Sequence, residues 1–181
     1  MTPFEAAYRE HFAFTWRSLR RLGVPERDLG DAAQDVFVVL YRKFDELDRE
    51  RSFTSWLYAV CLRVASDRRR SALEQNEQLA RDPDSNERSE TVPVHDAEKE
   101  QLNERRELLE AALDAMSLEQ RAVFTLFELE GRTGEEVAMI LEIPAPTVHS
   151  RLRLAREIFR RTVERERARE HFELRRTGGE R

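Results

Sequence analysis

The sequence predicts an all-α fold of two small helical domains, a three-helix N-terminal bundle and a C-terminal helix-turn-helix unit, joined by a flexible acidic linker. Three observations predict it. Apolar residues recur at helical spacing through both ends of the chain. Only 6 glycines and 6 prolines interrupt 181 residues, too few to punctuate a run of β-hairpins. Between the two periodic ends lies a long stretch rich in Glu, Asp, Asn, Ser and Pro with no apolar period able to bury a face.

The first helix is marked by Phe4, Tyr8, Phe12, Thr15, Leu19 and Leu22, and Gly23 with Pro25 stops it. A second starts near Asp28 or Asp31 and carries Val36, Leu40, Phe44 and Leu47. The third carries Phe53, Leu57, Val60 and Val64 and runs into Arg68, Arg69 and Arg70. These three close the bundle over residues 1–71, and the linker occupies residues 72–107.

Periodicity resumes at Leu108, Leu109, Ala112, Leu113 and Met116. It restarts after Ser117, where Gln120 completes a capping box, and that helix ends at Gly131. Thr133 and Glu136 form a second capping box ahead of a short helix with Val137, Ala138, Ile140 and Leu141. Glu142, Ile143 and Pro144 end it. Pro146 suits the first turn of a last helix, which carries Val148, Leu152, Ala155, Ile158, Phe159 and Val163. A short helix, a tight turn and a longer helix bearing Arg151, Arg153, Arg156, Arg160 and Arg161 on its polar side is a helix-turn-helix arrangement, read here as residues 108–164. Residues 165–181 form a charged tail whose signs alternate, read as a solvated extension, with partner binding as the alternative.

Composition excludes several classes. The single Cys61 forbids an intrachain disulfide and reads as a small core hydrophobe. The longest apolar runs are far too short to cross a bilayer, and the N-terminus lacks a basic-then-apolar leader, so a soluble cytoplasmic protein without membrane insertion is expected. His11, His95, His149 and His171 lie far apart with no Cys or His at ligand spacing, so neither metal nor cofactor is expected. The acidic residues are scattered over polar faces, which argues against a carboxylate hydrolase and against a small-molecule substrate.

The net charge of -5 and mean hydropathy of -0.71 argue against nucleic acid until the charge is divided along the chain. Residues 1–70 hold 13 basic and 11 acidic side chains, residues 71–107 hold 5 and 11, and residues 108–181 hold 13 and 14. The linker carries the excess, and both ends are free to present basic faces.

Two motifs in order resemble one family. Asp31-Ala32-Ala33-Gln34-Asp35-Val36-Phe37 resembles the D-x-x-Q-[DE]-x-F signature of bacterial sigma factors, and Phe53 to Tyr58 followed by Ala65 to Arg70 resembles their next helix. Ser117 to Phe124, Glu130-Gly131, Glu135 to Ala138 and Ile143 to Arg156 resemble their C-terminal helix-turn-helix. A chain holding only these two domains resembles the small extracytoplasmic-function sigma factors.

The resemblance implies a non-enzymatic promoter-specificity subunit with core RNA polymerase and promoter DNA as partners and an anti-sigma protein as inhibitor. It implies that Gln34 and Asp35, with Val38, Tyr41 and Arg42 on neighbouring turns, dock on polymerase; Phe37, Val38, Val39 and Tyr41 cannot all face inward beside Val36 and Leu40. The segment Asp45 to Thr54 and the helix after it would read the separated strand of the minus-ten element. Tyr58, which lies off the core stripe, is expected to stack on a base, Trp56 to sit in the core, and Arg63, Arg68, Arg69 and Arg70 to meet phosphates. At the minus-thirty-five element the expected contacts are Thr147, His149, Ser150, Arg151 and Arg153, with Arg156 on the backbone. The family commonly has Arg and Asn where Leu62 and Arg63 stand, and Gly and Lys where Pro146 and His149 stand. The alternative reading is a helix-turn-helix regulator whose N-terminal helical domain serves signalling or dimerisation.

Overall fold

The structure, a computed structural model, describes residues 2–47, 53–79 and 97–178, with side chains described for residues 2–47, 53–71 and 104–169. Within these residues every regular element is helical. The first helix, α1 (Pro3–Arg21), begins with a capping box that the apolar pattern does not disclose. The Thr2 hydroxyl accepts the Glu5 N–H at 3.2 Å, and the Glu5 carboxylate accepts the Thr2 N–H at 2.8 Å. Its end is a left-handed turn at Gly23, φ +90°, where the Val24 N–H returns to the Leu19 carbonyl at 3.1 Å.

Helix α2 (Leu29–Lys43) follows one 3-10 turn, and α3 (Phe53–Leu79) lies across both. Leu19, Leu22, Leu29, Ala32, Val36, Leu40, Leu57 and Ala65 are buried where the three meet. The bundle therefore forms as the spacing predicts. Helix α3 runs to Leu79 and the next, α4 (Ala97–Asp114), starts well before the apolar period resumes at Leu108. Both ends of the expected linker are thus helical, because Ala, Glu, Gln and Leu favour helix without any face to bury. Residues 80–96, the rest of the linker, lie outside the described residues.

In the second half, α5 (Leu118–Phe124) opens on the predicted Ser117 box, with the Gln120 side chain accepting the Ser117 N–H at 2.9 Å. It continues into a wide π turn over Thr125–Leu129, closed by the Glu130 N–H on the Thr125 carbonyl at 3.0 Å. Helix α6 (Gly134–Leu141) opens on the predicted Thr133 box, and α7 (Ala145–Gly178) begins after Pro144 and carries the tail as one continuous helix. The turn between α6 and α7 is made by Glu142 in the left-handed region, φ 53°, with the Ile143 N–H on the Ala138 carbonyl at 3.1 Å.

The two helical units are packed against each other, and their buried apolar residues form one continuous cluster. Tyr58 on α3 is fully buried there, and its hydroxyl donates to the Ala122 carbonyl of α5 at 3.4 Å. Arg121 on α5 is 3% exposed; Asp114 pairs with it at 2.9 Å, while its Nε meets no hydrogen-bond partner. Its Nη1 occupies the Gly23 turn so closely that a Cβ there would lie 2.0 Å away. Arg20 pairs with Glu110 at 2.5 Å, and Arg21 pairs with Glu130.

Candidate nucleic-acid interface

Three faces gather the residues that the sequence singled out. The first lies between α1 and α2. Helix α2 buries Ala33, Val36, Phe37 and Leu40 but leaves Val38 39% and Tyr41 68% exposed, beside exposed Gln34, Asp35 and Arg42. The expectation that this helix is apolar on more than one face holds for Val38 and Tyr41; Phe37 turns inward. Gln34, Val38 and Tyr41 line one side of an open groove of about 470 Å³.

The other side of the groove is aromatic and belongs to α1. Phe4 meets the Tyr41 ring edge-on at 5.1 Å, and Tyr8 lies 4.5 Å from Phe37. The apolar spacing of α1 puts Phe4 and Tyr8 on the core stripe, and the structure moves them off it. Each four-residue step advances about 400° around a helix, so Phe4, Tyr8 and Phe12 drift steadily away from the face of Leu19 and Leu22. That drift is the signal the sequence offers.

The second face is α3. Arg63 and Arg70 are exposed; Arg68 and Arg69 are partly covered. Arg68 is held by Asp35 at 2.6 Å, which ties an expected DNA contact to an expected polymerase contact. Two side-chain positions differ from the sequence reading. Tyr58 does not lie off the core: it is fully buried beneath α5, and Trp56, assigned to the core, is only partly buried. The stripe Phe53, Leu57, Val60 defines one buried face of α3, but packing of the C-terminal unit buries a second. Burial pushes the Tyr58 hydroxyl well above the ordinary phenol range and the Cys61 thiol up to about 12. Residues 48–52, the centre of the expected minus-ten segment, lie outside the described residues.

The third face is the helix-turn-helix. Val148, Leu152 and Ala155 are buried beneath α7, so His149, Ser150, Arg153 and Arg156 are exposed along it, with Thr147 and Arg151 half-buried. The His149 ring lies over the first turn of α6, where a Cβ on Gly134 would stand 3.1 Å from Nε2. The Ser150 hydroxyl donates to the Thr147 carbonyl at 3.0 Å. Arg156 pairs with Glu128 at 2.6 Å and lies 5.3 Å over the Phe127 ring, so part of its work is to hold α7 on the π turn. Arg151 turns instead toward α3, where it lines one cleft of about 450 Å³ with Arg63 and Arg70.

A helical bundle with an open aromatic groove, followed by a basic helix-turn-helix, is the pairing that the family comparisons also find. The model of Sigma-70 region 2 matches residues 7–73, and the model of Sigma-70, region 4 matches residues 106–158. The chain belongs to the sigma-70 class of RNA polymerase sigma factors.

Its relatives narrow that class. The chain is 29% identical to RNA polymerase sigma factor NccH of Alcaligenes xylosoxydans xylosoxydans, over 77% of this chain and 75% of that protein. It is likewise 29% identical to the ECF RNA polymerase sigma-E factor of Escherichia coli K12, over 74% of this chain and 73% of that one. Among solved structures, CnrH in complex with the cytosolic domain of CnrY matches with a TM-score of 0.62 at 22% identity, covering 89% of this chain and 87% of that one. The sigma factor RpoE in complex with the anti-sigma factor NepR from Bartonella quintana matches at 0.65 and 19%, covering 91% and 98%. The chain is a member of the extracytoplasmic-function sigma factors.

Proposed function

We propose that this sigma factor divides its work between units at the expected boundaries: residues 1–71 dock on core RNA polymerase and read the minus-ten element, and residues 108–164 read the minus-thirty-five element. The polymerase contact is made by the α1–α2 groove, with Gln34, Val38 and Tyr41 on one wall and Asp35 and Arg42 exposed beside it on α2. An interface core needs exposed apolar and aromatic side chains ringed by polar ones, and this groove supplies both. The observation that carries the proposal is the exposure of Val38 and Tyr41 beside Gln34 on a helix whose other face is fully used by the bundle.

On DNA, Arg63, Arg68, Arg69 and Arg70 neutralise the phosphates flanking the separated strand, and Tyr58 is offered to an unstacked base once the C-terminal unit moves away. Thr147, His149, Ser150, Arg151 and Arg153 meet the upstream element in the major groove, with Arg156 toward the backbone. The protein performs no chemistry on a substrate of its own: polymerase supplies the catalysis and sigma the address. Its site of action is the cytoplasm, where polymerase and promoters are; no helix among the described residues is long and apolar enough to cross a membrane. By likeness to the two complexed sigma factors, an anti-sigma protein is its expected antagonist. The alternative of a free-standing helix-turn-helix regulator is not favoured, since it leaves the α1–α2 groove without a partner.

The test is transcription with purified core polymerase on a genomic promoter library. The wild-type chain yields defined transcripts, and Val38→Asp with Tyr41→Asp removes them by lowering polymerase affinity at least about 30-fold, the scale of two interface anchors. Transcripts undiminished by the double substitution would place docking elsewhere.

A further inference from the structure

A cleft of about 590 Å³ lies between the end of α1 with the turn after it, on one side, and α4 with the start of α5 on the other. That volume falls in the range of small-molecule sites, about 300–1,000 Å³. Five arginines line it: Arg17, Arg20, Arg21, Arg106 and Arg121. The lining sets only three carboxylates against them, Glu26, Glu110 and Asp114, so a chain of net charge -5 keeps a cationic excess of two in one small space. Counting the nearest further charges, Arg69 at the Gly23 turn and Glu130 on Arg21, leaves that excess unchanged. The cleft of Arg63, Arg70 and Arg151 differs, because Asp67, Glu119 and Glu142 balance it.

The arginines are also unevenly paired. Arg17 has no ion-pair partner among the described residues, and Glu110 is shared between Arg20 at 2.5 Å and Arg106 at 3.2 Å. Arg121 is the most buried of the five, at 3% exposed, and its Nε has no hydrogen-bond partner. Burial acts against its charge and Arg69 adds repulsion, while Asp114, itself 76% exposed, is the carboxylate that opposes them. A buried guanidinium so thinly compensated gains from a second anion. Arginine forks match phosphate oxygens two at a time, which suits them to a phosphorylated ligand. Beside them, Val24 and Leu113 are buried and, with Pro25 and Leu109, give the cleft an apolar wall.

We propose that this cleft binds an organic diphosphate, its phosphate groups held by Arg17, Arg20, Arg106 and Arg121 and the rest of the molecule resting on Val24, Pro25 and Leu113. An excess of two positive charges suits a diphosphate better than a lone carboxylate, and the apolar wall has no use for an inorganic ion. None of the lining residues belongs to the surfaces assigned above to polymerase or promoter, so the site stands independently of those assignments.

Isothermal titration of the full chain at physiological ionic strength tests the site with three probes: inorganic pyrophosphate, ADP and dimethylallyl diphosphate. At least one organic probe is expected to bind one-to-one with Kd below about 0.1 mM, and at least about tenfold more tightly than pyrophosphate, because only an ester can use the apolar wall. Preference for ADP identifies a nucleotide source, and preference for dimethylallyl diphosphate an isoprenoid one. Arg17→Ala with Arg106→Ala is expected to raise that Kd at least about tenfold. Arg9→Ala with Arg27→Ala, an equal loss of charge at exposed positions outside the cleft, should change it less than about twofold. Glu26→Gln removes a carboxylate from the lining and is expected to tighten binding about threefold, a gain that misfolding cannot produce.

No binding by any probe would overturn the site. Pyrophosphate binding as tightly as both organic probes would do so too, as would equal losses from the cleft pair and the control pair, which would leave only attraction to the overall charge.

Discussion

The α1–α2 face and the α3 face of the N-terminal bundle are both aromatic beyond what a three-helix core consumes, yet they end differently. On α3, Tyr58 is fully buried by a second part of the same chain. On α2, Tyr41 remains 68% exposed, with the Phe4 ring set edge-to-face against it. An apolar face left open by its own chain marks a surface kept for a partner. A face covered by the chain itself marks one whose use must be released. The contrast turns two similar residues into opposite predictions.

The largest expected effect comes from emptying the covered face. Tyr58→Ala removes a fully buried ring and should cost about 3–5 kcal/mol in denaturant unfolding. Tyr41→Ala should cost less than about 1 kcal/mol in the same experiment while weakening polymerase binding. Similar losses of stability for the two would erase the distinction between covered and open faces.

A smaller effect is expected at the helix-turn-helix. Glu142 adopts φ 53° with a side chain that gains nothing from it, so Glu142→Gly should stabilise the chain by up to about 1 kcal/mol, read as a rise in Tm. A fall in Tm would mean that the carboxylate holds the turn in some other way.

The smallest concerns acid. The Thr133 backbone N–H holds the Glu136 carboxyl below its ordinary range. A carboxyl lowered on folding contributes stability that is present above its unfolded pKa of about 4.3 and is lost as pH falls through the lower folded value. Glu136→Gln can still close the capping box, so Tm at neutral pH should hardly change, while the decline below about pH 4 should become shallower. An unchanged acid limb would show that other carboxylates, Glu119 under the Ser117 hydroxyl among them, account for it.

How legible these features are in the sequence depends on their range. The capping boxes at Ser117 and Thr133, the stop at Gly23 and the helix-turn-helix stripe Val148, Leu152, Ala155 are local, and local chemistry specifies them. The helical ends of the linker escape a search for apolar period because they need no buried face, only good helix formers. Burial of Tyr58 and Arg121 cannot be read at all, since the first depends on the Ala122 carbonyl and the second on the Gly23 turn, each on a distant part of the chain. On α2 and α7 the residues expected at the sites are exposed as helical periodicity puts them, apart from Thr147, which is half-buried, and Arg151, which is half-buried and turned toward α3; on α1, Phe4 and Tyr8 are hidden from the sequence by a spacing that drifts slowly off the core.

The π turn at Thr125–Leu129 sets the register of the residues after it. A helix that spends one extra residue on a wide turn rotates every later side chain by about 100° relative to an unbroken α-helix. That rotation falls between Arg121, which points into the Gly23 turn, and Glu130, which meets Arg21. Both ends of α5 and its π extension therefore address the same end of α1 from one short segment. Closure of the two units is thus written partly in a count of residues, a feature that a composition or charge comparison of relatives would pass over.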